Sequence, residues 1–173
     1  MDTYLEFIFK QKYTIGKILL IVLLYFMATL LAVGTFFVAV RNPFVMQFSA
    51  LIMAAFYFGA WWISKKLCIE YEYIVTNDEL DIDKIIARNT RKRMLTVSVK
   101  KFEEFGYADD NLLRKFKDGS VKVTLDASMG KGSINRCYAV FNNKQGNRML
   151  LIFNPTSKMI DLFKIYNPKV INI

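Results

Sequence analysis

The sequence predicts a membrane α-helical hairpin joined to an α+β domain, in which about seven antiparallel strands are closed by one C-terminal helix. Three observations carry this expectation. Residues Ile18 to Val40 and Phe44 to Ser64 contain no charged side chain. After Lys66 the apolar spacing changes to the alternation of β-strands. Near the end, Met159, Leu162, Phe163 and Tyr166 fall on one face of a helix. The expected division is 1–66 for an interfacial segment and two spans (18–40 and 44–64), and 67–173 for the β domain.

At a rise of 1.5 Å per residue the two uncharged stretches would reach roughly 34 and 31 Å, against a hydrocarbon core of about 30 Å. Helices satisfy their own backbone hydrogen bonds, which a bilayer requires. Arg41-Asn42-Pro43 reads as a tight turn, because proline cannot continue the hydrogen bonding of the first helix. A cleavable signal peptide is disfavoured by the length of the first apolar run and by the second span that follows at once. Ala28 and Ala32, with Ala50, Ala54, Ala55 and Gly59, offer small surfaces for helix packing. Neither span holds Asp, Glu, Lys or Arg, so no residue is a candidate for a proton relay or ion pathway.

Lys10, Lys12 and Lys17 precede the first span, Lys65 and Lys66 follow the second, and Arg41 alone occupies the turn. The lysine and arginine bias therefore predicts a multi-pass protein of the cell membrane with both termini cytoplasmic. Trp61 and Trp62 stand just before the lysine pair and read as interface anchors. Met1 to Tyr13, with Tyr4, Leu5, Phe7, Ile8 and Phe9 among charges, reads either as a short helix at the interface or as an extension of the first span.

Ile69 to Val75 begins as a half-buried strand, and Asn77-Asp78 supplies a turn. Leu80, Ile82, Ile85 and Ile86 suggest a second strand and Met94 to Val99 a third, separated by a basic loop, Arg88 to Arg93. Further strands are expected near 102–107, 121–127, 136–141 and 148–153, with turns at Asp118-Gly119 and Lys144 to Asn147 and a short helix over 110–117. Asn154 is expected to cap the last helix with Pro155 at its first position, and Pro168 to help end it. About 105 residues suffice to bury a core.

The strand order, the segment Tyr-Ile-Val-Thr-Asn-Asp-Glu-Leu (Tyr73 to Leu80) and the ending Leu-Ile-Phe-Asn-Pro (Leu151 to Pro155) resemble bacterial pleckstrin-homology-like domains. Over nearly its full length the chain resembles a family of small two-span proteins of Gram-positive bacteria, in which such a domain follows a helical hairpin. The resemblance implies a domain that binds lipids or proteins, and it transfers no catalytic residue.

The chain carries 24 basic and 15 acidic residues, and the part beyond Ser64 holds +7 of the net +9. For a membrane-tethered chain this favours lipid, and nucleic acid is not an expected partner. The candidate contact for anionic headgroups is Arg88, Arg91, Lys92 and Arg93, with Lys65 and Lys66, because a second strand antiparallel to the first would return toward the bilayer. The acidic turn Thr76-Asn77-Asp78-Glu79 argues against the first-hairpin mode by which eukaryotic pleckstrin domains hold phosphoinositides.

No metal, cofactor or catalytic residue is expected. Histidine is absent, and Cys68 and Cys137 lack ligand spacing and read as reduced, partly buried thiols. Gly130-Lys131-Gly132-Ser133 lacks the GxxxxGK[ST] spacing of a phosphate-binding loop and reads as a flexible loop, and adjacent Asp109 and Asp110 read as a helix-start cap. The expected function is a membrane-tethered protein- or lipid-interaction module, a scaffold or regulator, whose partner is another protein or a second copy. The alternative is a membrane-bound enzyme using carboxylate, lysine or tyrosine chemistry.

Overall fold

The computed structural model describes residues 3–109, 114, 116, 119–143 and 145–172. The chain forms two compact units, Tyr13–Cys68 and a second that joins Met1–Lys12 to Ile69–Ile173. The expected helix over 110–117, the Asp109-Asp110 cap and part of the Asp118-Gly119 and Lys144 turns lie outside the described residues.

In the first unit, α1 (Ile15–Arg41) and α2 (Pro43–Lys66) are joined through Asn42 alone. Asn42 accepts a hydrogen bond from the Phe44 N–H at 3.0 Å, and Pro43 takes the first helical position, where its missing N–H costs nothing. Both helices are candidate membrane spans, with mean hydropathies of 2.5 and 1.5 over their most apolar windows. Only 11% and 6% of those windows is buried within the chain, so the apolar side chains point outward. Lipid is the solvent that such a surface requires, whereas a soluble core helix would bury it. The packed faces differ in part from expectation. Ala28, Ala32 and Ala39 of α1 and Ala60 of α2 are buried, whereas Ala50, Ala54 and Ala55 are exposed. The Thr29 and Tyr57 hydroxyls also meet across the pair at 3.1 Å.

The second unit corrects the expected boundary at residue 67. Residues ahead of the spans form strand β1 (Tyr4–Lys10), not an interfacial helix, and β1 pairs antiparallel with β2 (Ile69–Thr76) from Tyr4↔Thr76 to Lys10↔Glu70. The cause is a strict period of two: Leu5, Phe7 and Phe9 turn toward the core while Tyr4, Glu6, Ile8 and Lys10 turn away. The helical pair is thus an insertion between the first two strands of the domain. Because β1 and β2 are hydrogen-bonded neighbours, the residues before α1 and after α2 must lie on one side of any bilayer the helices cross.

One sheet has the order β1-β2-β3-β4, with β3 at Glu79–Ile86 and β4 at Thr90–Ser98. The other has the order β5-β7-β8-β6, comprising β5 (Phe102–Tyr107), β6 (Val123–Asp126), β7 (Cys137–Asn142) and β8 (Arg148–Phe153), with β6 parallel to β8. The seven strands expected after Lys66 are therefore present, and β1 makes eight. Their inward side chains form one core, which includes Tyr73, Leu80, Ile82, Phe102, Phe141 and Phe153.

Helix α3 (Ser157–Tyr166) closes this core with Met159, Ile160 and Phe163. Its cap is Thr156, whose hydroxyl accepts from the Met159 N–H at 3.3 Å, which corrects the expectation for Asn154. Asn154 is instead buried. Its N–H donates to the Tyr73 hydroxyl at 3.0 Å, its Oδ1 accepts from the Met129 N–H at 2.8 Å, and its Nδ2 donates to the Ile134 carbonyl at 3.0 Å. The Tyr73 hydroxyl in turn donates to the Ala127 carbonyl at 2.8 Å. These bonds fasten the 128–135 loop to both sheets, where sequence suggested a flexible loop.

Candidate functional site

The basic segment that the sequence placed in a loop is mostly strand. Arg91, Lys92 and Arg93 belong to β4, and only Ala87, Arg88 and Asn89 form the turn. Strand alternation sends Arg91 and Arg93 to the outer face of the first sheet and Lys92 to the other. On the outer face the arginines meet carboxylates. Arg88 pairs with Glu70 at 3.1 Å, Arg91 with the fully buried Glu72 at 2.9 Å, and Arg93 with Asp81 at 3.3 Å and Asp83 at 3.1 Å. Three of the six expected headgroup contacts, Arg88, Arg91 and Arg93, are thus engaged within the domain. The missed signal was the run of acids at alternate positions, Glu70, Glu72, Asp81 and Asp83, on the neighbouring strands.

Glu72 is the buried centre of this array. Burial pushes its carboxyl pKa up, a hydrogen bond with Glu6 adds to the rise, and Arg91 opposes it. Glu6 moves down, held first by the hydrogen bond from the Tyr4 hydroxyl at 2.6 Å and then by Glu72. Glu72 Oε2 is buried and has no hydrogen-bond partner among the described residues. The array neutralises and clamps β1 to β4; its arginines and acids are spent on one another.

In the helical unit, Lys65 Nζ lies 5.3 Å from the Trp61 ring centre and Lys66 Nζ lies 3.8 Å from that of Trp62. Both indoles are about half exposed, and the cations above them give each a polar partner.

Two concave surfaces accompany the array. A groove of about 420 Å³ runs between β1 and α3, lined by Thr3, Tyr4, Leu5, Lys158, Asp161, Leu162 and Ile165, and a second of about 380 Å³ continues past Phe7 to Thr156 and Met159. Ile165 is 70% exposed on its rim. Strand β1 is the sheet edge here, so its outer backbone groups pair with no other described strand. A cleft of about 600 Å³ lies along the opposite edge, between β4 and the ends of β6, β7 and β8. Its Arg93, Thr96 and Ser98 are already bonded to Asp83, Asp81 and Asp78. The groove beside β1 was invisible to sequence reading because β1 itself was taken for a helix, although the alternation of Leu5, Phe7 and Phe9 carried the signal.

No group of three or more cysteines and carboxylates able to hold a metal ion occurs among the described residues. Two four-stranded sheets around one core, closed by a C-terminal helix and interrupted by two candidate membrane-spanning helices, define a membrane-anchored protein of the pleckstrin-homology-like class. The chain belongs to the family described as Bacterial PH-like domain (DUF6106), whose model matches residues 1–173 and so includes both helices. Neither a curated protein nor a solved structure matches it.

Proposed function

We propose that the chain is a membrane-tethered interaction module without catalytic activity, resident in the cell membrane with both termini cytoplasmic, and that it binds an extended segment of a partner protein along β1. The observation that carries this reading is the free edge of β1 beside the mostly apolar groove against α3. An edge strand supplies main-chain hydrogen bonds to an added strand, and a flanking groove takes alternate side chains. The spans hold the module at the bilayer, which raises its effective concentration toward a membrane-borne client. Against the enzymatic alternative stands the larger cleft, whose Arg93, Thr96 and Ser98 are committed to neighbouring carboxylates.

A photoreactive residue at Ile165, on the groove rim, tests this against the same residue at Ile134, which is 87% exposed elsewhere on the domain. The expected adduct joins position 165 to one extended segment of another protein in intact membranes. An adduct to the chain's own peptide assigns the groove to a second copy instead. Equal adducts from both positions remove the reading.

A further inference from the structure

The inner face of the first sheet contains a row that breaks the core pattern. Phe9, Tyr71, Lys84 and Lys92 stand opposite one another across all four strands, through Phe9↔Tyr71, Tyr71↔Lys84 and Lys84↔Lys92. The first two are buried aromatics of the core. The two rows on the side away from Ile69, Phe7, Tyr73, Ile82 and Leu95 and then Leu5, Val75, Leu80 and Val97, remain apolar to the fourth strand. Directly opposed side chains in an antiparallel pair have Cβ atoms about 5 Å apart, so the row ends in two ammonium groups that repel each other. No carboxylate faces either of them among the described residues, in contrast to the arginines on the outer face, each of which has one.

The position of this pair in the domain is specific. Ile69, where the chain enters from the spans, is two residues from Tyr71 and pairs with Ile86, so Lys84 lies at the end of the sheet from which the chain departs. Only Leu67 and Cys68 separate Ile69 from Lys66. Lys12 joins the same end, its N–H donating to the Met129 carbonyl at 3.0 Å and so bringing the loop that carries Lys131 beside it.

We infer that Lys84 and Lys92 form a site for the phosphate group of an anionic phospholipid. A phosphodiester placed between the two ammonium groups replaces their repulsion with two charge-assisted hydrogen bonds. Phospholipid is the source because the helices set this chain in a bilayer and the links from strand to span are short. The inference rests on membrane residence alone, independently of the β1 groove. It moves the headgroup contact from the outer-face arginines, which carboxylates neutralise, to the unpaired lysines of the inner face.

The full chain is reconstituted in bilayer discs of phosphatidylcholine, with or without phosphatidylglycerol, and the acylation rate of individual lysines is followed by mass spectrometry. Phosphatidylglycerol should slow modification of Lys84 and Lys92 by about fivefold and leave Lys101, beyond the opposite end of β4, unchanged. Millimolar inorganic phosphate in phosphatidylcholine discs should not reproduce the effect. Equal rates in both discs, or a common change at Lys84, Lys92 and Lys101, overturn the site; full protection by inorganic phosphate overturns the lipid as its occupant. A Lys84→Gln/Lys92→Gln double variant gives a second readout, since both residues lie at an accessible margin of the sheet. The wild-type chain should unfold at a higher temperature in phosphatidylglycerol discs and the double variant should not, whereas an identical lipid response overturns the proposal.

Discussion

At the scale of single residues, the domain depends on a few buried polar groups, among them Tyr73 and Asn154. The Tyr73 hydroxyl receives the Asn154 N–H and donates to the Ala127 carbonyl. Burial pushes its pKa well above the ordinary tyrosine range. Tyr73→Phe removes one oxygen and strands both partners in the interior, so it should destabilise the domain by about 1–3 kcal/mol, measurable as a lowered unfolding temperature of the full chain in detergent. A change below a few tenths of a kcal/mol would show that the two sheets are not fastened there. Tyr73 and Asn154 come from the two segments through which the sequence resembles pleckstrin-homology-like domains, and they meet in space. Sequence marked both positions and mistook one role, because Asn154 before a proline and a helix has the local look of a cap. The backbone also carries local strain at Ala87 and Arg88, whose φ values of 56° and 59° lie in the left-handed region that favours glycine or asparagine.

At the scale of elements, the first sheet separates its charges by face, and its outer face gives the domain a pH dependence. Glu72 has a folded pKa raised above its unfolded value of about 4.3. The folded state therefore holds this proton more tightly, and the stability it contributes is present below about pH 4 and is lost as pH rises through the folded value. Glu6 has the opposite sign: its lowered pKa contributes stability above the ordinary glutamate range that is lost as pH falls through the folded value. Glu72→Gln should match the wild-type chain most closely at acidic pH and gain stability relative to it as pH rises toward neutrality. Thermal unfolding across that range reads the difference, and a gap that narrows with rising pH would contradict the assignment. The period of two on β1 and the acids of β2 and β3 were legible in the sequence, but their pairing was not, since register across strands is set by long-range packing. The ion pairs that engage Arg88, Arg91 and Arg93 follow from that register and could not be inferred from a run of basic letters.

At the scale of the whole molecule, hydrophobic length alone revealed the two helices, because a bilayer demands about twenty apolar residues and few soluble folds supply two such runs in succession. The seven strands after Lys66 and the closing helix were also legible, through alternation and turn residues. What escaped was the discontinuity of the domain, since nothing local tells a strand that its partner lies some sixty residues further on. That pairing sets the two segments flanking the helices on one side of any bilayer the helices cross, because they share one sheet, and we propose from Lys10, Lys12, Lys17, Lys65 and Lys66 that this side is the cytoplasm. With Cys68 and Cys137 replaced by serine, a cysteine at Asn42 should react with a membrane-impermeant maleimide on intact cells, and one at Asn172 should react only after lysis. The reverse pattern would invert the orientation.

The insertion between β1 and β2 also makes the membrane segment excisable. Gln11 donates its N–H to the Ile69 carbonyl at 3.0 Å, so the two strand ends already stand as close as the ends of an ordinary β-hairpin. A chain begun after the spans would lack β1, leaving Phe7 and Phe9 missing from the core and β2 as a raw edge. A short glycine-containing loop in place of residues 13–67 would instead keep all eight strands and remove both apolar helices. The domain is in effect a two-sheet sandwich whose β1–β2 connection carries two helices long and apolar enough to cross a membrane. Since β1 precedes both helices in the chain and β2 follows them, the strand made first can pair with its neighbour only after both helices have been made.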